Sequence, residues 1–191
     1  MQRIGTIGWR RIVYYALPVL VLVALILIDQ LSKSYFAKLY RENGTTTVIE
    51  DFFFVTYHVN TGAAWGFLSN TSWGITFFII LTAVALVGFV LVYAYSVKKK
   101  RTWLTYSMAF VIGGTLGNFI DRAAFGGVTD FLSFKFFGYH FPIFNFADSF
   151  LVVGVIMLAI YFLFLDKNAV FRKSNKKPKE TDNDGKEDVQ N

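Results

Sequence analysis

Four apolar runs, each close to the length that crosses a bilayer, constrain this chain more than any other feature. They cover residues 12–28, 73–97, 103–120 and 148–165. A helix needs about 20 mostly apolar residues to span hydrocarbon. Hydrophobic residues make up 54% of the chain and aromatic residues 19%, a balance that excludes a disordered chain and argues against an ordinary soluble domain. The expected fold class is an all-α integral membrane protein with four transmembrane helices. A small extracytoplasmic β-sheet is expected between the first two.

The first run follows Arg3, Arg10 and Arg11, the pattern of a signal peptide, but no small-x-small cleavage site comes after it. It is therefore read as a retained span that ends at Asp29-Gln30-Leu31-Ser32-Lys33. Residues 34–72 are mixed. Val48, Phe52, Phe53, Phe54, Val55 and Tyr57 favour strand, and Asn43-Gly44 is a turn signal. Asn60-Thr61-Gly62-Ala63-Ala64-Trp65-Gly66 then combines small residues that permit close backbone approach with a tryptophan suited to the membrane–water boundary. Gly113 and Gly117 in the third run are four apart, which suits close helix packing.

Basic residues set the expected orientation. Fourteen lie before the first run, at Lys98–Arg101 and in the tail; the other connections carry five, Lys33, Lys38, Arg41, Arg122 and Lys135. The positive-inside rule then puts both termini in the cytoplasm, segments 29–72 and 121–147 outside, and a charged, disordered tail at 166–191 in the cytoplasm. The net charge of +6 is thus a topology and lipid-surface feature, and no nucleic-acid partner is expected.

The chemistry concentrates between Gly117 and Asp148. Ionisable groups at the edge of hydrocarbon are costly, so they are functional candidates by default. Asp130 and Asp148 form the candidate catalytic pair. Two nearby carboxylates share a proton, so one activates water while the other polarises a peptide carbonyl. The alternative makes Asp148 an N-cap and Asp130 a turn residue. Asn118, Asp121 and Arg122 share a helical face, and Arg122 suits peptide carbonyls or a lipid phosphate. Asn145 stands three residues before Asp148. Asp29 and Lys33 have the spacing of a helical ion pair; a tether to the acidic cluster is the sharper alternative. The 133–140 stretch is either an interfacial lid or an aromatic anchor.

Other chemistries lack their parts. Cysteine is absent, and His58 and His140 are too few for an imidazole-rich metal site. No Gly-x-Ser-x-Gly elbow, His-Glu-x-x-His helix, Walker A loop or Gly-x-Gly-Asp motif occurs, and Ser133 and Ser149 lack a suitably placed histidine. A carrier using Asp121, Asp130 and Asp148 as an ion path is the rival class. Carriers tend to show internal repeats, and none is visible.

Five motifs in order resemble those of the bacterial lipoprotein signal peptidases, or signal peptidases II. They are Asp29-Gln30-Leu31-Ser32-Lys33, Asn60-Thr61-Gly62-Ala63-Ala64-Trp65, Gly113-Gly114-Thr115-Leu116-Gly117-Asn118-Phe119-Ile120-Asp121-Arg122, Val128-Thr129-Asp130-Phe131 and Phe144-Asn145-Phe146-Ala147-Asp148. The resemblance implies a multi-pass enzyme of the bacterial plasma membrane with its site on the extracytoplasmic side. Asp130 and Asp148 are its implied dyad. Asn60, Gly62, Asn118, Asp121, Arg122 and Asn145 would bind substrate or support the dyad. The implied partners are diacylglyceryl prolipoproteins, cleaved just before the lipidated cysteine, membrane phospholipid, and globomycin-type inhibitors. No metal or organic cofactor is implied, and the expected state is a monomer.

Overall fold

The computed structural model of the chain describes residues 5–62 and 73–166. The expected anchor at Trp65 and the expected tail beyond Asp166 lie outside the described residues. Two compact units divide the chain, Met1–Leu158 and Ala159–Asn191. In the second, Tyr161–Leu165 forms a π-helical turn, and the Tyr161 hydroxyl donates to Asp166 Oδ2 at 2.9 Å. The candidate site lies wholly in the first unit.

Helix α1 runs from Gly5 to Asn43, α2 from Gly74 to Lys98, α3 from Thr102 to Phe125, and α4 from Phe146 to Ile160. Three helical stretches among the described residues are long and apolar enough to cross a membrane: Tyr14–Asn43, Gly74–Lys98 and Phe146–Leu165. α3 is not one of them, which differs from the four spans expected. Its 24 residues would reach about 36 Å at 1.5 Å per residue, so length is no obstacle. Its composition is the obstacle: Ser107, three threonines, three glycines, Asn118, Asp121 and Arg122 interrupt the apolar run.

α1 does not stop at residue 28 as expected. Asp29 and Lys33 leave the helix intact because the pair supports helix and is buried against α3. The stop comes at Asn43-Gly44. Gly44 takes φ +68, and its N–H closes the last turn on the Tyr40 carbonyl at 2.7 Å. That dipeptide ends a helix and does not turn a hairpin.

The sheet also differs from expectation. Strands β1 (Thr46–Ile49), β2 (Phe53–Asn60), β3 (Val128–Phe136) and β4 (Tyr139–His140) lie in sequence order and pair antiparallel. Half of the sheet therefore comes from the connection between α3 and α4. The β3 residues Val-Thr-Asp-Phe-Leu-Ser-Phe-Lys-Phe carry the branched and aromatic side chains that suit a pleated surface, and β2 offers it a partner. Register runs from Phe53 opposite Phe134 to Asn60 opposite Val128, with a bulge between Val55 and His58. The 133–140 stretch is a β-hairpin whose two turn residues, Phe137 and Gly138, both have positive φ (49 and 85).

α3 is the helix around which the others gather. Ser96 Oγ and Thr105 Oγ1, 2.9 Å apart and buried, close the α2–α3 turn. A Cβ on Gly113 would sit 3.1 Å from Leu25 of α1, and one on Gly117 would strike the Asp29 carboxylate. On another face, a Cβ on Gly114 would strike the Ala147 carbonyl and lie 2.8 Å from Leu151 N. These glycines let α1 and α4 approach α3 at backbone distance. Farther along, the Trp103 indole N–H donates to the Met157 carbonyl at 2.8 Å.

Candidate active site

Two elements far apart in sequence supply the acids. Asp130 is the third residue of β3, opposite His58 of β2. Asp148 lies in the first turn of α4. The chain between them folds back so that Phe144 pairs with β3. Its carbonyl accepts the N–H groups of Phe131 (3.1 Å) and Leu132 (2.8 Å), and its own N–H returns to Leu132 O at 3.1 Å. That pairing delivers Asn145 beside Asp130.

Asn145 caps α4. Its Oδ1 accepts the Asp148 N–H at 3.0 Å, while its own N–H donates to Asp148 Oδ2 at 3.1 Å. This is a reciprocal capping box, worth about 1 kcal/mol for the cap alone. The helix therefore opens at Phe146, and the N-cap is Asn145 rather than Asp148. The remaining Asn145 group, Nδ2, donates to Asp130 Oδ1 at 2.6 Å, to Asn118 Oδ1 at 3.0 Å and toward the Thr129 carbonyl at 3.3 Å. One fully buried residue thus reaches both carboxylates, Asp130 by its side-chain amide and Asp148 by its backbone N–H.

Other side chains complete the arrangement. Asn118 Nδ2 donates to Asp148 Oδ1 at 2.7 Å, and Asn60 Nδ2 donates to Asp130 Oδ2 at 3.2 Å. Asn60 Oδ1 accepts the Gly62 N–H at 3.0 Å, which fixes the orientation of its amide. Arg122 Nη2 donates to the Gly62 carbonyl at 3.0 Å, and its guanidinium lies 5.4 Å from the Phe78 ring centroid. Arg122 Nε is buried without a hydrogen-bond partner among the described residues. Asp121 does not reach the pair by its own carboxylate; it accepts the Thr129 N–H at 3.0 Å.

Asp130 and Asp148 share one cavity of about 660 Å³. Asn60, Asn118 and Arg122 line it with them. Phe141, Pro142, Ile143, Phe144, Leu151, Val152 and Val153 supply its apolar walls. The 133–140 hairpin is not among the residues that line it. Asp130 is 2% exposed. Burial first, and the Asp148 carboxylate second, push it up from the usual carboxylate value to about 7, against the opposing pull of Asn60, Asn145 and Lys33. Near neutral pH, Asp130 can therefore hold a proton to donate. The described residues contain no group of three or more His, Cys, Asp or Glu placed to hold a metal ion.

Asp29 and Lys33 form the expected helical pair at 2.8 Å. Lys33 also reaches Asp121 at 3.1 Å and donates to Asn118 Oδ1 at 3.0 Å, so the tether to the acidic cluster is formed as well. Gln30 has no role in the sequence reading. Its Nε2 nevertheless donates to Asp29 Oδ2 (3.1 Å), the Gly117 carbonyl (3.1 Å) and Asp121 Oδ1 (2.9 Å). Its position next to Asp29 offered no spacing signal, because its partners lie in α3.

A family model described as "Signal peptidase (SPase) II" matches residues 21–164. This chain belongs to the signal peptidase II family. Among its relatives, a lipoprotein signal peptidase of Staphylococcus carnosus is 40% identical over 151 residues, covering 79% of this chain and 92% of the relative. One from Bacillus pumilus is 43% identical over 139 residues, or 73% and 87% of the two chains. A solved bacterial membrane enzyme, determined by the in meso method at 2.3 Å, is similar with a TM-score of 0.69 and 37% identity over 86% of this chain and 94% of that one. A second, at 1.9 Å, has a TM-score of 0.66 and 37% identity over 79% and 95%. Membership in the signal peptidase II family, with three helices apolar enough to span, makes this protein a membrane protease.

Proposed function

We propose that this protein is an intramembrane aspartic endopeptidase that removes the signal peptide from diacylglyceryl-modified prolipoproteins, cutting just before the lipidated cysteine. The observation that carries this reading is the cavity onto which Asp130 and Asp148 both open, with one buried residue, Asn145, bonded to both carboxylates, by its side-chain amide to Asp130 and its backbone N–H to Asp148. The mechanism needs no metal. Asp148 as carboxylate takes a proton from a water molecule, whose oxygen attacks the scissile carbonyl carbon. Asp130 gives its proton to the carbonyl oxygen. The tetrahedral diol then collapses, the C–N bond breaks, and a proton passes to the departing amine. Arg122 acts as a carbonyl clamp with the donors that Gly62 leaves free. Asn60 and Asn118 hold the acids, and Gly62 supports Arg122.

Topology supports the same reading. Lys98 to Arg101 form the turn before α3, and Asn118 follows Thr102 by about 24 Å along the helix axis. A cytoplasmic basic turn would then put the acids at the opposite boundary. We take α3 as the fourth crossing, shielded from lipid by α1, α2 and α4. Both termini are cytoplasmic, the site faces outside the bacterial plasma membrane, and residues 1–165 form the peptidase domain. The substrate's signal helix enters from lipid, while its acyl chains fix the depth of the scissile bond. The apolar cavity walls also suit a globomycin-type cyclic peptide as a competitor.

The test is cleavage of a diacylglyceryl prolipoprotein by purified protein in detergent with lipid, followed by gel shift. Wild type should cut before the lipidated cysteine, and folded Asp130→Asn and Asp148→Asn should be inactive. Normal cleavage by both variants would overturn the dyad. Failure of folded wild type would favour the ion-carrier reading, to be followed by proton flux. Arg122→Ala with near wild-type turnover would remove the clamp.

A further inference from the structure

Each of the two acids follows a residue whose backbone N–H is held by another buried carboxylate. Ala147, which precedes Asp148, donates its N–H to Asp29 Oδ1 at 2.9 Å. Thr129, which precedes Asp130, donates its N–H to Asp121 Oδ2 at 3.0 Å. The two gripping carboxylates lie on different helices, and a single ammonium joins them. Lys33 Nζ is 2.8 Å from Asp29 Oδ2 and 3.1 Å from Asp121 Oδ2.

We propose that Asp29, Lys33 and Asp121 are a positioning unit that sets the spacing of Asp130 and Asp148. This inference rests on reading those two acids as the reacting pair. Four elements carry the unit and its targets: α1, α3, β3 and α4. A helical ion pair accounts for the Asp29–Lys33 contact alone. It does not account for Asp121 on the same ammonium, nor for each carboxylate also accepting the N–H beside a reacting aspartate, Asp29 through its other oxygen and Asp121 through the same Oδ2 that meets Lys33.

Burial strengthens the case. The Lys33, Asp29 and Asp121 side chains are 5%, 0% and 3% exposed. Buried ions are seldom the most stabilising solution, and a well-packed apolar set often serves stability as well or better. An apolar set could not accept the two N–H groups, however. These acceptors place the backbone of β3 and of α4 relative to a common point, and so fix two side chains that no covalent link constrains. Lys33 has a second route to the pair. It is a pure donor, so it turns Asn118 Oδ1 toward itself (3.0 Å) and leaves Nδ2 facing Asp148 Oδ1 (2.7 Å). Gln30 braces both carboxylates from the side.

The test separates positioning from folding and from the dyad itself. Lys33→Met and Gln30→Leu are purified in detergent with lipid, beside Asp130→Asn and Asp148→Asn. For each, kcat and KM on a synthetic diacylglyceryl prolipopeptide, the pH profile and Tm are measured. Lys33→Met should lower kcat at least 100-fold while KM stays within threefold. Its alkaline limb should move to higher pH, because Lys33 is one of the charges that oppose the rise of Asp130. The other groups facing Asp130 remain in place: Asp148, Arg122, Asn60, Asn145 and His58 across the sheet. Gln30→Leu removes no charge and should lower kcat about tenfold at constant KM. It carries the test if Lys33→Met fails to fold.

Folded Lys33→Met, or failing that Gln30→Leu, with wild-type kcat would overturn the positioning unit while inactive aspartate variants leave the dyad standing. A loss that follows Tm, with an unmoved pH profile, would also overturn it, since that is what a purely structural cluster would give. Normal cleavage by the aspartate variants would overturn the dyad instead.

Discussion

α2 and α3 are neighbours joined by a short basic turn, yet they invert the rule that apolar residues lie inside. α2 is apolar from Ile75 to Val97, but only Gly74 and Ser96 are buried along it. α3 is the more polar of the two, and eleven of its residues are buried, among them Thr105, Ser107 and Asp121. In water this pattern would be unstable. In a bilayer the lipid tails are as apolar as leucine, so hydrophobicity alone does not bring helices together. Small and polar residues then mark the interior, and the most apolar helix is the one that lipid can cover. The glycines of α3 allow close approach, and its Asn118 and Asp121 find partners only in the interior.

The largest expected effect lies at the polar end of this contrast. Asp130 has a folded pKa of about 7 against an ordinary 3.8, so the folded chain holds the extra proton between about pH 4 and pH 7. Stability from this group therefore falls as pH rises through that window, and its full cost, up to about 4 kcal/mol, is present above it. Asp130→Asn removes the slope. Relative to wild type, its Tm should rise between pH 5 and pH 8, and a Tm difference that stays flat would show that Asp130 does not titrate there. Catalysis should follow the same group, with wild-type turnover declining above about pH 7 as Asp130 loses the proton it donates.

A charge on α2 comes next. Val84→Asp, at a position 67% exposed near the middle of the helix, should cost about 3 kcal/mol of insertion free energy. Insertion assayed by glycosylation mapping measures it; unchanged insertion would mean that Val84 meets water or protein rather than lipid. The comparison is then sharpened by one methyl group placed on each helix. Gly114→Ala should destabilise by about 1–3 kcal/mol, because its Cβ meets the Ala147 backbone. Gly88→Ala meets nothing within 4 Å and should gain a few tenths to about 1 kcal/mol from helix propensity. Thermal unfolding of the two variants side by side decides it, and equal effects would break the contrast between the helices.

Much of the site was legible because its residues are chemically expensive where they stand. Asp130, Asp148, Asn118 and Asn145 could be named as polar groups at or between the ends of two apolar runs, and they do line or bridge one cavity. Arg122 could be named too, but its link to the Gly62 carbonyl could not, since that contact crosses from α3 to the end of β2. Lys33 showed its helical spacing to Asp29 and hid its more telling contacts, which lie in α3. The 133–140 stretch gave no periodic signal because it holds only the end of β3 and the two-residue β4, and its turn sits on Phe137, an unusual residue for positive φ.

By itself, the amino-acid sequence determined the three long apolar runs, the basic turn at Lys98–Arg101, a break in the chain at Asn43-Gly44 and the identity of the polar residues near the bilayer edge. These are properties of composition and of neighbours a few residues apart, where hydrophobic length and local backbone preference decide the outcome. Only the tertiary structure decided that β2 pairs with β3, that α1 continues past Asp29, that Asn145 rather than Asp148 caps α4, and that Asp29 and Asp121 grip the amides beside the two acids. Each of these depends on a partner distant in the chain. A buried N–H or carboxylate must be satisfied by whatever the fold brings within about 3 Å, and no local pattern specifies which group that will be.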